Sequence, residues 1–79
     1  YPVWTHNERV FGLIRESAHG RILVLANFSE WGQAVSRGRL DEMGFAGELR
    51  DVVNGRVHQD QADISLEPYQ AMWLENQNE

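Results

Sequence analysis

The side chains able to carry proton, metal or nucleophile chemistry are few, and their spacing limits what they can do. Histidine occurs 3 times, at His6, His19 and His58. No two share the i, i+4 spacing that would set both over one metal ion on a helix face. Cysteine is absent, so a thiolate site cannot be assembled either. Ser29 and Ser36 have no companion His and Asp at workable positions, and no G-x-S-x-G elbow is present. The 7 glycines stand at turns or singly in strands, not in a phosphate-cradling loop. The 12 carboxylates could in principle include an acid/base pair of glycosidase type. They fall instead at strand ends, in turns and on outward positions such as Asp63 and Glu67, the pattern of a solvated acidic surface. Asn27-Phe28-Ser29 matches the N-x-[ST] acceptor pattern but closes the most apolar run of the chain, where a glycan is hard to place. No catalytic residue, cofactor or metal site is expected in this chain. The tryptophans remain, since a sugar ring stacks on an exposed aromatic face. Trp73 lies in an apolar run and is expected in a core or an interface. Trp4 is expected to pack back on the domain or on a neighbour. Trp31, between Glu30 and Gly32 in a turn, is expected to pack over the rim of the sandwich; if exposed, it is the carbohydrate-binding candidate.

The elements that would position these residues are short. With 79 residues the chain makes one small domain with a thin core. A hydrophobic content of 42% is too high for disorder. Asp and Glu outnumber the basic residues, for a net charge of -5, which argues against a nucleic-acid or anionic-membrane partner. The longest apolar run, Ile22 to Ala26, is far too short to span a bilayer. No signal peptide is visible, and with cysteine absent this favours a cytoplasmic protein. All 7 basic residues are Arg, a composition expected of a GC-rich genome.

Residues 1–8 hold Pro2 and no sustained period, and read as a connector arriving from a preceding domain. Arg9–Glu16 and Arg21–Phe28 are strand candidates joined across Ser17-Ala18-His19-Gly20 as a hairpin. Gln33–Ser36 is a short strand. Between Arg37 and Gly44, Leu40 and Met43 stand three apart, and Gly44 is placed to close one helical turn. Glu48–Val53 and Arg56–Gln59 flank Asn54-Gly55, read as a two-residue turn with both φ positive. Asp60-Gln61 turns again. Ala62–Glu67 alternates, with Ile64 and Leu66 on one face. Pro68 interrupts, Tyr69–Glu75 makes the last strand, and 76–79 is a polar tail. About seven short strands at near-regular spacing predict an all-β fold, a small antiparallel β-sandwich over 9–75 with one short helical turn.

Strands with one exposed face alternate, whereas strands covered on both faces read as continuous apolar runs. Val10–Ile14, Ile22–Ala26 and Ala71–Leu74 do not alternate. One face of each can fill the core. The other is covered either by the chain's own loops and terminal segments or by a partner surface, and the second reading is preferred. Period 2 alone does not say which set faces inward. The longer set Ile22, Val24, Ala26 and Phe28 is expected in the core. Leu23 and Leu25, with Phe11, Leu13, Met72 and Leu74, are the docking candidates, and self-association of the isolated chain through that face is expected.

The run Leu23-Val24-Leu25-Ala26-Asn27-Phe28-Ser29, followed by Leu66-Glu67-Pro68-Tyr69-Gln70-Ala71-Met72-Trp73-Leu74, resembles the C-terminal β-domain of the α-amylase superfamily. With Val10-Phe11-Gly12-Leu13-Ile14-Arg15-Glu16 in front, it is most similar to amylosucrases, over roughly residues 9 to 75. The resemblance implies a bacterial β-sandwich packed on a (β/α)₈ barrel that carries all the catalytic carboxylates. The parent would transfer glucosyl units from sucrose to an α-glucan. None of the barrel's motifs is in this chain, which alone is expected to be no enzyme. Its expected role is to pack on and stabilise the catalytic barrel of the same parent chain. The alternative is a small carbohydrate-binding module for α-glucan.

Overall fold

The computed structural model describes residues 1–17, 20–59 and 62–76. Its elements are β1 (Pro2–Val3), β2 (Val10–Ser17), β3 (Gly20–Asn27), β4 (Gln33–Val35), α1 (Arg37–Glu42), β5 (Leu49–Asp51), β6 (Val57–His58), β7 (Ile64–Leu66) and β8 (Ala71–Asn76). Six strands form one antiparallel sheet in the order β1-β2-β3-β8-β5-β6, and β4 and β7 pair separately. The all-β expectation holds, with eight strands among the described residues where about seven were anticipated. Ala18 and His19 of the first hairpin, the Asp60-Gln61 turn and tail residues 77–79 lie outside the described residues.

The core fills the space between the six-stranded sheet and a smaller layer made of β4, β7 and α1. Val10, Ile14, Leu23, Leu25, Leu49, Met72 and Leu74 come from the sheet, and Val35, Leu40, Met43, Phe45, Ile64 and Leu66 from the other side. The alternation read in Ala62–Glu67 is realised, with Ile64 and Leu66 buried and Asp63, Ser65 and Glu67 exposed. The helical turn also forms where expected. Ser36 caps its start by accepting from Arg39 N at 3.2 Å. At its end Gly44 adopts φ +89°, so that Phe45 N donates to Leu40 O at 2.9 Å and Gly44 N to Asp41 O at 3.0 Å. This Schellman closure delivers the Phe45 ring into the core.

Three expectations need correction. The first is the inward face. Leu23, Leu25, Met72 and Leu74 are core residues, at 3% exposure or less, and are not available for docking. The set Ile22, Val24, Ala26 and Phe28 faces outward instead. Cross-strand partners explain why. Ile22 pairs with Arg15, and β8 places Glu75, the partner of Arg50, on the same face. A face carrying these charges cannot be an interior without leaving them desolvated, at a cost of several kcal/mol per unpaired ion. The longer apolar run was a poorer guide than the company it keeps across the sheet.

The second is the β5–β6 turn. Gly55 takes φ +77°, but Asn54 does not have positive φ. Leu49 pairs with His58 and Arg50 with Val57, so residues between Asp51 and Arg56 form a longer loop. Gly55 N donates to Asp51 O at 2.7 Å, and the Asp51 carboxylate accepts from Val53 N at 2.9 Å. The loop is wound around Asp51 rather than turned on Asn54. The third is Asn76, which extends β8 opposite Leu49 and donates to Ala46 O at 2.8 Å instead of beginning a tail.

Residues 1–8 are woven into this domain. β1 extends the sheet, and Ile14 N donates to Tyr1 O at 2.8 Å. Buried Thr5 donates to Val10 O at 2.8 Å, and Asn7 Nδ2 reaches Ala34 O at 3.0 Å in the other layer. Buried Arg37 ties the loops on that side together, donating to Ala62 O at 2.9 Å, to Gly47 O at 3.0 Å and to Gln59 O.

Candidate functional site

Alternation along β2, β3 and β8 leaves one side chain in two on the outer face of the large sheet. The registers put Phe11 beside Ala26 and Ala71 in one row, Leu13 beside Val24 and Trp73 in the next, and Arg15 beside Ile22 in a third. Phe28 continues the face one step beyond β3, held there by its N–H donating to Arg9 O at 3.0 Å. Its ring lies 6.3 Å from that of Phe11. Phe11 is 43% exposed, Phe28 67% and Trp73 36%. Leu13, Ile22, Val24 and Ala26 are half-buried only by their neighbours in the sheet. No described element of this chain lies over this face. Monomeric domains seldom leave a contiguous apolar surface of this kind unpartnered.

The borders of the face carry charged side chains. Arg15 stands 5.8 Å over the Trp73 ring, and Arg15, Glu16, Ile22 and Trp73 line a notch of about 220 Å³. At the far side Arg50 pairs with Glu75, its Nε at 2.9 Å from Oε2.

Of the docking candidates, Phe11 and Leu13 therefore share this face, whereas Leu23, Leu25, Met72 and Leu74 are on the opposite one. Ile22, Val24 and Phe28, expected in the core, belong to this face, as does Trp73, for which a core or an interface is expected. The signal that could have placed them was Arg15: a charge two residues beyond Leu13 marks the outward parity of β2, and a hairpin transmits that parity to β3.

A second surface feature is Trp31, which is 63% exposed. Its loop is held rigidly from beneath. Asn27 is buried and donates from Nδ2 to Trp31 O at 2.8 Å and to Glu67 O at 3.0 Å. Its Oδ1 accepts from Ser29 N at 2.9 Å and Ser29 Oγ at 2.8 Å. The Asn-Phe-Ser motif is thus a staple between the end of β3 and the segment after β7, and a buried amide engaged in this way has no room for a glycan. The described ring–ring contacts join Trp4 with His6 and Phe11 with Phe28, and leave Trp31 out. Trp4 is itself exposed, its carbonyl accepting from Arg39 Nε at 2.6 Å.

Among the described residues, Asp51 is the buried carboxylate, and its bonding is internal to its own loop. His58, paired with Leu49, has a buried Nε2 with no hydrogen-bond partner. Burial lowers its pKa, against a weaker upward pull from Asp51, with Arg56 and Arg37 adding to the lowering. No group of three or more His, Asp or Glu side chains gathers among the described residues as a metal-holding set.

A protein-family model described as the amylosucrase C-terminal domain matches residues 2–75. Among solved structures, the crystal structure of AmyP in complex with maltose aligns with 86% of this chain at a TM-score of 0.69 and 22% identity. The match occupies 14% of the AmyP chain. At that identity the likeness speaks for the fold.

Proposed function

We propose a structural role for this chain, which belongs to the family of amylosucrase C-terminal domains. It packs the outer face of its six-stranded sheet on the catalytic barrel of a longer parent chain and stabilises that barrel. The parent, as an amylosucrase-like enzyme, transfers glucosyl units from sucrose to an α-glucan. Residues 1–8 are then the stretch through which the chain leaves the preceding domain. The observation that carries the reading is the apolar face of Phe11, Leu13, Ile22, Val24, Phe28 and Trp73, which nothing among the described residues covers. The barrel is the natural occupant, because a family of C-terminal domains implies a larger part before it, and the AmyP match spans a small fraction of that protein.

Val24→Arg in the complete parent tests this. Val24 lies at the centre of the face, between Leu13 and Trp73. An arginine there is solvated in the isolated chain but desolvated in a docked one. The expected result is a lower thermal midpoint for the parent and little change for the 1–79 chain alone. Equal midpoints for parent and variant would remove the docking role.

The rigidly stapled, exposed Trp31 favours a second reading, a weak α-glucan contact on the same domain. It differs from the first in leaving the stability of the parent untouched when Trp31 is removed.

A further inference from the structure

We propose that the Arg15–Trp73 notch is the seat of an Asp or Glu side chain of the catalytic part of the parent, and that this ion pair sets the orientation in which the domain docks. The proposal rests on the docking role above and names the chemistry of the partner at one point of that face.

Four of the seven arginines are already engaged through their guanidinium groups. Arg21 donates to Gly44 O and lies over Phe45, Arg37 binds three carbonyls, Arg39 pairs with Glu42 and Arg50 with Glu75. Arg15 has a ring contact and no described hydrogen bond or ion pair. It also sits on the apolar face, one strand from Val24 and two from Ala71.

Two requirements then meet at one residue. The apolar neighbours call for cover, and cover removes water from Arg15. A guanidinium stripped of water without an acceptor costs several kcal/mol, so the covering surface must bring one. At 5.8 Å from the ring centroid the guanidinium keeps its N–H donors free, and a carboxylate can accept two parallel bonds from them. The Trp73 ring holds the group in place beforehand, which reduces the entropy lost on pairing. Glu16 does not fill this role, since it forms no ion pair with Arg15 and belongs to the opposite parity of β2. The charge balance agrees. The chain carries -5 overall, yet this face presents Arg15 and Arg50, and Glu75 on it is already bound to Arg50, which leaves Arg15 as its unpaired charge among the described residues. An acidic border on the barrel complements that pattern and opposes docking in a reversed orientation.

The test uses the complete parent. No lysine occurs among residues 1–79, so Arg15→Lys introduces the single side-chain amine of this segment. A carbodiimide couples it directly to any carboxylate in contact, and the joined peptides are identified by mass spectrometry. The expected product links position 15 to an Asp or Glu outside residues 1–79. In parallel, thermal midpoints of Arg15→Glu and Arg15→Gln are compared at about 0.05 and 1 M salt, where the screening length falls from more than 10 Å to about 3 Å. Arg15→Glu should lie below Arg15→Gln at low salt, with the gap reduced by at least half at high salt. The proposal is overturned if position 15 couples only to Glu16 or Glu75, or to nothing. It is overturned equally if the two variants unfold together at both salt concentrations, because the loss would then be packing on Trp73. A Val24→Arg variant that destabilises the parent alongside either negative result keeps the docking role while removing the ion pair. A Val24→Arg variant without effect removes both.

Discussion

Along β3, Leu23 and Leu25 are fully buried, while Ile22, Val24 and Ala26, interleaved with them, stay partly exposed on the opposite face. Both faces of the sheet are apolar, and the residue types are nearly the same. They differ in what lies across from them. The inner face meets β4, β7 and α1, which supply Val35, Leu40, Ile64 and Leu66. The outer face shares its rows with Arg15, Arg50 and Glu75 and meets no other layer among the described residues. Hydrophobicity marks a strand as covered on both sides. What lies across each face says which cover belongs to the same chain and which comes from elsewhere.

The contrast is broken most severely from the inside. Leu25→Ala should destabilise the 1–79 chain by about 2–5 kcal/mol, the transfer term plus the cavity left behind. Leu13→Ala, on the outer face, should change the same chain by less than about 1 kcal/mol, with a larger loss appearing in the parent. Urea unfolding of both variants measures the gap, and equal losses in the short chain would mean that the two faces are not different in kind.

Next in size is the staple that holds the end of β3 in its register. Asn27→Ala removes its bonds to the Trp31 and Glu67 carbonyls, which keep Ser29 Oγ and Gln70 N as donors, and leaves the Ser29 N–H without its partner; it should cost about 1–3 kcal/mol in the same assay. A neutral effect would show that register is held by the apolar rows alone.

The pH dependence is smaller. The pKa of His58 lies below its ordinary value of 6.5 in the folded chain, first because of burial. The unfolded chain therefore binds the proton more readily. The contribution of His58 is fully present above pH 6.5, declines as pH falls below that value and levels off once pH is below the folded pKa. His58→Gln should flatten this part of the stability–pH curve, and an unchanged slope would assign it to other groups.

Trp31→Ala should have the least effect on folding, within about 0.5 kcal/mol, since its loop is held by Asn27 and Ser29 rather than by the ring. Calorimetric titration of maltooligosaccharides should give no binding tighter than millimolar. One stacked ring contributes about 1 kcal/mol by analogy with other aromatic contacts, where a millimolar constant needs about 4. A micromolar constant abolished by Trp31→Ala would transfer the weight to the glucan-binding reading.

What the sequence determined by itself was local. The alternation of Ile64 and Leu66, the helical turn between Arg37 and Gly44 and its closing glycine each depend on a few neighbouring residues, and each is where the pattern put it, whereas Trp31 is exposed where packing over the rim is the preferred expectation. The existence of a doubly apolar sheet was legible for the same reason. The β5–β6 turn was legible in position but not in form, because the Asp51 carboxylate competes with Asn54-Gly55 for the loop's N–H groups. Only the tertiary structure decided which face turned inward. Both parities of β3 satisfy the same period of 2, and a one-residue slip exchanges them without changing any local preference. Beyond the hint that Arg15 gives through the hairpin, the choice is made by partners far along the chain: Trp73 across from Val24 and Asn27 bonded to Glu67. The Arg15–Trp73 notch was hidden for the same physical reason, since it exists only where β2, β3 and β8 lie side by side.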